Sequence, residues 1–340
     1  MRTGFHFDYS DLPALCADRE LVTPEIHASN DFYGQASVLK RFAGIDEVKS
    51  LKVVLEHGIR FDDQMWDHDR DSVMPVILSP SAWRAGVHRR LSGKKTIPVG
   101  FGYLYAQKLL DGIAGRETHR KGTLAFPCHS THTILAKLDH ADYARRLLEL
   151  PDFMQPVSVC MYWKNFLLRE NEPYEKAGIN VYSAGHMFDR DFLLRFHDLC
   201  RHHRYSTSNV VGSHLFFAVS SGCRFVFTES DPVDWEIPAS QLAHCSRGSE
   251  GFRQRSSQAM DLFGSSLSGE DVTSLEQQQF VDELIGTDYC LDPRGLRKRI
   301  KQAETAYGFQ QVHRWFRRRL TRIGKLGNSV RKRLPWRKAA

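Results

Sequence analysis

The stretch that decides the fold is residues 205–227, YSTSNVVGSHLFFAVSSGCRFVF. Its pattern predicts a short strand at 205–208, a small-residue loop ending at Gly212, an apolar helix over 213–221 and a buried strand at 224–227. A helix N-terminus carries free backbone N–H groups and the positive end of the helix dipole, so it suits a phosphate. Serine and asparagine are also common N-caps, and the segment alone fits a capped structural helix equally well.

The same alternation of strands and helices runs through the chain from about residue 51. Short apolar runs predict strands at 51–55, 74–78, 96–99, 123–126, 157–161, 179–182, 205–207 and 224–227. Apolar residues at three- and four-residue spacing predict helices at 103–113, 140–150, 163–176 and 190–203. Continuous apolar strands separated by helices are typical of parallel sheets covered on both faces. We therefore expect an α/β fold with doubly wound sheets.

The strands fall into two groups, which predicts two Rossmann-like domains. Residues 1–98 are expected to form a small N-terminal α/β domain on the acceptor side, and residues 99–245 the Rossmann-like domain that binds a nucleotide. Residues 246–294 are expected to form a polar connection, mobile up to Glu276, followed by a helix. Residues 295–340 are predicted to form a polybasic amphipathic tail.

Composition excludes several classes of protein. The 340 residues include seven scattered cysteines without a CxxC pair, which argues against a disulfide framework and against a structural zinc site. The start of the chain lacks the apolar segment of a signal peptide. No run reaches the roughly 18 apolar residues of a transmembrane helix. We therefore expect a cytoplasmic protein.

The net charge of +7 is unevenly distributed. Residues 295–340 contain 15 Lys and Arg against one acid, Glu304, so the rest of the chain is mildly acidic. A helix over 307–327 would have one apolar face, and the predicted membrane-binding residues beside it are Arg314, Trp315, Arg317, Arg318, Arg322 and Lys325. A basic amphipathic helix with aromatic residues suits an anionic membrane surface. A helix packed on the body with a solvated basic face, and a nucleic-acid contact, are the alternatives.

Histidines follow four of the predicted strands. The carboxyl ends of parallel strands meet at one edge of a sheet, where open α/β sheets bind ligands. The residues at these strand ends are His57; His129 and Ser130; His186; and Ser208, Asn209, Gly212, Ser213 and His214. A single histidine is more often structural than functional. Four histidine-bearing loops at one edge favour a binding site.

Other kinds of site have weaker support in the sequence. His129 and His132 form an HxxH pair without a carboxylate or cysteine at a recognisable spacing, so we predict no metal site and no cofactor. Neither a GxSxG nucleophile elbow nor a Walker-type P-loop occurs. The remaining interpretation is a site in which loops and a helix N-terminus hold a nucleotide and the other domain supplies the reacting group. His57 is the preferred general base, and Asp62 and Asp63 are its rivals.

Several segments resemble bacterial surface-polysaccharide glycosyltransferases of the GT-B architecture. The resemblance is strongest to those of capsule and lipopolysaccharide assembly with sialyl- or Kdo-transferase-like C-terminal domains. The matching segments are VVLEHGI (53–59), GTLAFPCHSTH (122–132), INVYSAGH (179–186), STSNVVGSHLFFAVSSGCRFVF (206–227), FVDELIG and LDPRGLR. The resemblance implies two facing Rossmann-like domains, with the nucleotide-sugar in the C-terminal one and no strict need for a metal.

The resemblance also implies roles for the strand-end residues. It places the nucleotide or its phosphate beside Ser208, Asn209, Gly212, Ser213 and His214. It also implies that His129, Ser130 and His186 lie in the same cleft and that His57 faces it from the N-terminal domain. The expected function is metal-independent sugar transfer from a nucleotide-sugar to a lipid-linked surface glycan, at the anionic inner face of the plasma membrane. A non-catalytic scaffold of the same fold and a nucleic-acid-binding protein are the competing hypotheses, although nucleic acid is not the expected partner. The N-terminal half is short for this architecture, which leaves the acceptor side and the catalytic base open.

Overall fold

The computed structural model describes residues 7–60, 62–114, 119–131, 134–239, 249–264 and 272–333. They form a mixed α/β fold with two parallel sheets and a short antiparallel strand pair, which confirms the predicted fold class. Apolar side chains of both sheets and of the helices between them share one core that extends from Ala36 to Ala303. The division into domains at residues 98 and 245 stays a prediction.

The first sheet contains three parallel strands in the order β1-β2-β3. They are β1 (Val54–Leu55), β2 (Val76–Ser79) and β3 (Lys95–Pro98). The helices of this half are α1 (Leu12–Cys16), α2 (Gln35–Ala43), α3 (Asp67–Arg70) and α4 (Ala82–Ser92). Strand β1 is shorter than the predicted 51–55, and beside it the side chain of Asn30 donates to the carbonyl of Val53 (2.9 Å) and accepts from the N–H of Leu55 (2.8 Å). This amide occupies backbone groups that a neighbouring strand would otherwise bind.

The second sheet has five parallel strands in a Rossmann order. They are β4 (Thr123–Phe126), β6 (Val157–Cys160), β7 (Asn180–Tyr182), β8 (Tyr205–Ser208) and β9 (Arg224–Phe227), arranged β7-β6-β4-β8-β9. The chain adds strands on one side of β4 first, and then on the other. The strand order therefore reverses between β4 and β8, and open α/β sheets bind ligands at such a switch point.

The helices of the second half depart from prediction at one place. They are α5 (Gly102–Ala114), α6 (His140–Leu148), α7 (Trp163–Leu167), α8 (Glu172–Lys176), α9 (Phe192–His202) and α10 (Ser213–Ser220). The single helix predicted over 163–176 is wrong, because Arg169 has a left-handed φ of 60° and Pro173 starts a new helix. The antiparallel pair of β5 (Leu135–Lys137) and β10 (Asp234–Glu236) was not predicted, since three residues give no readable periodicity.

The segment expected to be a mobile connection contains a helix, so that prediction is wrong for residues 250–263. Helix α11 (Glu250–Phe263) has Ser249 as its N-cap and buries Phe263, whose ring meets that of Phe225 in β9. Helix α12 (Leu275–Ile285) follows. It begins with a capping box of Ser274 and Gln277 and confirms the helix predicted at the end of the connection.

The last helix, α13 (Pro293–Arg333), begins as part of the body. Leu296, Ile300 and Ala303 are fully buried, and the helix packs on α2 and β2. The tail predicted over 295–340 therefore starts as a packed helix, and further along it the side chains of Phe309, Val312, Trp315 and Phe316 are exposed. Within the described part of the chain, no helix has both the length and the apolar character needed to cross a membrane.

Candidate functional site

A cavity of about 170 Å³ lies between the two sheets, at the switch point of the second one. The second half contributes the loops after β4, β6 and β8, including His129, Tyr162 and residues 210–214. The first half contributes Tyr33 and Gly58. The cavity wall is therefore built by loops of both sheets.

Helix α10 begins at this cavity with an N-terminus that no side chain caps. Its N-cap residue is Gly212, which offers no side-chain oxygen to the first-turn N–H groups. Gly212, Ser213 and His214 all line the cavity. The helix terminus is therefore suited to an anion, and the choice between a phosphate site and a structural N-terminus stays a prediction.

Glycine at position 212 accommodates the close approach of the His214 imidazole. A Cβ at this position would lie 2.8 Å from Cε1 of the imidazole, closer than real contacts allow. The His214 ring stacks on Phe126 with 5.3 Å between centroids, and its Nε2 lies 3.1 Å from the carbonyl oxygen of Val210. These contacts hold the imidazole at the cavity wall, over the end of β4.

The side chains of Ser208 and Asn209 hold the switch-point loops together. The buried hydroxyl of Ser208 donates to the carbonyl of Phe126 at 2.6 Å. Asn209 accepts from the backbone N–H of Cys128 (2.9 Å) and donates to Ser230 (3.3 Å). Among the described residues that line the cavity, neither of the two occurs. The geometry gives them a positioning role, and direct contact with a ligand stays a prediction.

Ser213 connects the two halves of the cavity wall. Its Oγ accepts a hydrogen bond of 2.9 Å from the backbone N–H of Ile59. Ile59 follows Gly58, which lines the cavity and has a left-handed φ of 73°. This bond ties the loop after β1 to the first turn of α10.

The remaining predicted residues of the second half occupy different positions. His129 lines the cavity, with its ring 4.4 Å from that of Tyr162. The buried Ser130 accepts from the N–H of Ala136 at 3.1 Å and so fixes the loop before β5. His186 is fully buried, 4.0 Å from the Trp163 ring, and lies outside the described lining of the cavity. The structure thus brings His129 to the site and places Ser130 and His186 behind it.

His57 lies in an aromatic box next to the cavity-lining Gly58. Its ring meets Phe32 edge-on at 5.0 Å and stacks with Trp66 at 5.9 Å and with His68 at 5.8 Å. Burial lowers the pKa of His57 to about 4, so the imidazole is neutral at pH 7. Its Nδ1 is buried and has no hydrogen-bond partner in the described part of the protein. The imidazole is therefore unprotonated at neutral pH, as a general base must be, and its lowered pKa makes it a weak base.

The carboxylates that rival His57 are placed less favourably. Asp62 is fully buried, and its two oxygens accept from Arg60 at 2.9 and 2.7 Å. Asp63 is exposed and lies 3.6 Å from Arg90. Because one guanidinium engages both oxygens of Asp62, the contacts favour His57 among the predicted bases.

A buried ionic network supports the first half of the wall, and sequence reasoning missed it. Glu56 accepts hydrogen bonds from Arg84, and His88 Nε2 lies 3.5 Å from its Oε1. Burial alone would raise the pKa of Glu56, but Arg84 and His88 outweigh it and hold the pKa well below its usual range. Gln35, which lines the cavity, donates to the Glu56 carbonyl at 3.0 Å. The sequence feature that could have indicated this network is Glu56, a glutamate directly after an apolar strand.

Two tyrosines of the cavity wall were also missed. Tyr33 has a left-handed φ of 59°, which is uncommon for a residue other than glycine. Burial raises the pKa of Tyr33 and of Tyr162, so both phenols stay protonated and can donate hydrogen bonds in the cavity. No local sequence pattern marks either residue.

The predicted membrane-binding residues lie in the later turns of α13. Trp315 is 48% exposed, and the guanidinium of Arg319 lies 4.3 Å from the centre of its ring. Arg314 is half-buried and Arg317 is exposed. The side chains outside the described part of the structure are those of Arg318, Arg322 and Lys325.

No protein-family model and no curated protein matches this sequence. Among solved structures, the chain is similar to UGT73P12 of Glycyrrhiza uralensis complexed with glycyrrhetinic acid 3-O-monoglucuronide, at 12% identity over 78% of this chain and 57% of that chain, with a TM-score of 0.29. It is also similar to α,α-trehalose 6-phosphate synthase from Burkholderia multivorans, at 11% identity over 89% of this chain and 76% of that one, with a TM-score of 0.27. Both are glycosyltransferases of the GT-B type. The chain spans little more than half of the first structure, and likeness at this level carries no information about donor or acceptor.

Proposed function

We propose that the protein is a glycosyltransferase that moves a sugar from a nucleotide-sugar donor to a glycan acceptor. The observation that carries this proposal is the N-terminus of α10, which no side chain caps and which faces a cavity at the switch point of a Rossmann-ordered sheet. Sheets of this kind bind nucleotides and their phosphates at this point. The opposite wall of the cavity comes from the other sheet and offers a place for the acceptor.

The donor side matches the charge that develops during glycosyl transfer. The reaction passes through an oxocarbenium-like state while negative charge builds on the departing phosphate. The first-turn N–H groups of α10 and the Ser213 hydroxyl are hydrogen-bond donors at the cavity wall, and the His214 imidazole lies beside them. Fixed donors of this type stabilise a leaving anion without reorganising. We therefore propose that departure of the phosphate needs no metal.

His57 is the proposed general base on the acceptor side. The cavity of about 170 Å³ is smaller than the roughly 300–1,000 Å³ of typical small-molecule sites. A complete nucleotide-sugar therefore requires the two walls to separate. The hydrogen bond between Ile59 and Ser213 is a contact that such an opening would break, beside Gly58 and His57.

A lipid-linked surface glycan, such as a capsule or lipopolysaccharide precursor, is the proposed acceptor. The support is α13, whose buried first turns anchor it to the body and whose later turns expose Phe309, Val312, Trp315 and Phe316 among basic residues. Basic amphipathic helices with tryptophan lie in the interface of anionic membranes. We propose peripheral attachment to the inner face of the plasma membrane, with the body of the protein in the cytoplasm.

Calorimetric titration of the full chain with UDP, GDP, CMP and CDP tests the donor site. We expect one of the four to bind. Absence of binding by all four to folded protein would overturn the proposal. Binding without transfer or hydrolysis of the corresponding nucleotide-sugar would identify a non-catalytic scaffold instead. His57→Asn should keep nucleotide binding and lose transfer.

Co-sedimentation with vesicles tests the membrane proposal. We expect the full chain to sediment with vesicles that contain anionic lipid, to stay in solution with neutral vesicles, and to be released by salt. A chain that ends at residue 308 should stay in solution in both cases. Equal sedimentation of the two chains would contradict a role for the later turns of α13. Salt-sensitive DNA binding that is lost with the same truncation, without vesicle binding, would favour the nucleic-acid alternative.

A further inference from the structure

Three metal-ligating side chains converge in the first half of the molecule, beside His57. His27 Nε2 lies 2.7 Å from Asp69 Oδ1, and His68 Nε2 lies 3.4 Å from the same oxygen. The ligand atoms of the three residues are all within 4.8 Å of one another. The hydroxyl of Ser29 adds a further polar group, 2.8 Å from His27 Nε2. The sugar-transfer proposal gives these residues no role.

We propose that His27, His68 and Asp69 bind a divalent transition-metal ion of the zinc class. Two imidazoles and one carboxylate are a donor set that Zn²⁺ and neighbouring first-row metals accept. Three protein ligands leave coordination positions open for water or for an oxygen of a bound molecule. No metal site is predicted from the sequence, because only ligands at short spacing are recognisable there and His27 and Asp69 are 42 residues apart.

The geometry of the cluster is close to what one ion imposes. Ligands bound at about 2.0–2.2 Å in a tetrahedral site lie roughly 3.3–3.6 Å from one another. The 3.4 Å separation of His68 Nε2 from Asp69 Oδ1 falls in this range, whereas the 2.7 Å separation of His27 Nε2 from the same oxygen has to widen when an ion binds. A simple hydrogen-bonded pair of His27 and Asp69 does not explain why a second imidazole directs its Nε2 to the same oxygen.

The cluster is rigid on one side and accessible on the other. His27 and Asp69 are buried, and the backbone of Asp69 is held by Lys94 Nζ at its carbonyl (2.9 Å). His68 is exposed, which gives an ion a path from solvent. A buried pair of ligands with one exposed ligand can load a metal without unfolding the protein.

Bound metal would have a positioning effect on the acceptor side of the cavity. His68 and Trp66 stack on His57, with ring centroids 5.8 and 5.9 Å away. Fixing His68 to the ion would therefore fix the aromatic box around His57. The diphosphate end of the cavity lies on the other sheet, so this ion is distinct from one that would bind a leaving phosphate.

Metal binding by the full chain tests the proposal directly. Protein stripped with a chelator is titrated with Co²⁺ and Zn²⁺, and retained metal is measured by elemental analysis after gel filtration. We expect retention of Zn²⁺, visible absorbance with Co²⁺, and a higher melting temperature with Zn²⁺. His68→Gln should weaken binding at least about tenfold and abolish the thermal shift.

His202→Gln is the matched control. His202 is also exposed and lies 3.7 Å from a carboxylate, Asp198, but it belongs to no candidate ligand cluster in the described residues. This variant should retain metal like the unaltered protein. Failure of the unaltered protein to retain either ion, or equal retention after His68→Gln, would overturn the proposal. Because the readout is metal content, the result does not depend on transferase activity.

Discussion

The two walls of the cavity are built in opposite ways. The wall from the second sheet ends in a helix with Gly212 in place of a capping side chain. The wall from the first sheet rests on buried ion pairs, in which Arg84 binds Glu56 and Arg60 binds Asp62. A buried charge is stable only when it is paired with an opposite charge. The free N–H groups of a helix N-terminus at a cavity can instead bind water or a ligand. The first wall is therefore neutralised by its own ion pairs, and the second has helix N–H groups that suit an anion.

Breaking the buried ion pair in the wall from the first sheet should have the largest effect on stability. Arg84→Met keeps the bulk of the side chain but leaves Glu56 buried without its guanidinium partner. We expect the free energy of unfolding to fall by about 3–5 kcal/mol, measured by urea denaturation. Arg90→Met is the control, because Arg90 is exposed beside Asp63 and should change stability by less than about 0.5 kcal/mol. Similar small losses for both variants would show that the wall does not depend on the buried pair.

The same network should make the first wall sensitive to acid. The pKa of Glu56 is held below its ordinary value of 4.5, so the folded protein keeps the carboxylate ionised where the unfolded chain takes up a proton. This stabilisation is fully present above that ordinary value and is lost as the pH falls below it. The stability advantage of the unaltered chain over Glu56→Gln should shrink by up to about 1.4 kcal/mol per pH unit there. An advantage that stays constant from neutral to acid pH would contradict the assignment.

The wall from the second sheet was the more predictable of the two. Strands Thr123–Phe126 and Arg224–Phe227 occur as predicted, because buried parallel strands are apolar runs bounded by polar loops. The start of α10 was also predicted, since loop, N-cap and helix are contiguous in the sequence. The predicted binding residues that line the cavity are His129, Gly212, Ser213 and His214.

The wall from the first sheet depends on partners that are distant in sequence. Asn30 binds the backbone of Leu55 in β1 from 25 residues away, and Arg84 neutralises Glu56 from 28 residues away. A single polar residue gives no periodic signal that distinguishes a buried partner from solvent. The first turns of α13 are a different case. Leu296, Ile300 and Ala303 have readable helical spacing, but the high charge around them led to their assignment to a tail.

Substitutions in the second wall should reduce nucleotide affinity more than they reduce the free energy of unfolding. His214→Ala removes a cavity-facing imidazole and should weaken nucleotide binding about tenfold, or roughly 1.4 kcal/mol. Asn209→Ala should weaken binding and also lower the free energy of unfolding, because the N–H of Cys128 loses its acceptor. Calorimetry and urea denaturation separate the two effects. Unchanged affinity after His214→Ala would remove this residue from the site.

The smallest change tests the bond that joins the two walls. Ser213→Ala removes the acceptor of the Ile59 N–H and should cost about 1 kcal/mol. Hydrogen exchange at Ile59 should become faster, while exchange in the core of α9 stays the same. Ser220→Ala is the matched control, because Ser220 lies at the other end of the same helix and donates to Gln107 at 3.2 Å.

If exchange at Ile59 is the same in Ser213→Ala and in the unaltered chain, this bond does not control opening. Apolar contacts across the two halves, such as the 5.0 Å ring contact of Tyr33 with Phe192, would then hold the walls together. Opening would in that case expose apolar surface rather than break a polar contact, so it would carry a heat-capacity change that nucleotide titrations at several temperatures can detect. Faster exchange at Ile59 alone would instead identify the hydrogen bond as the first contact to break when a donor enters.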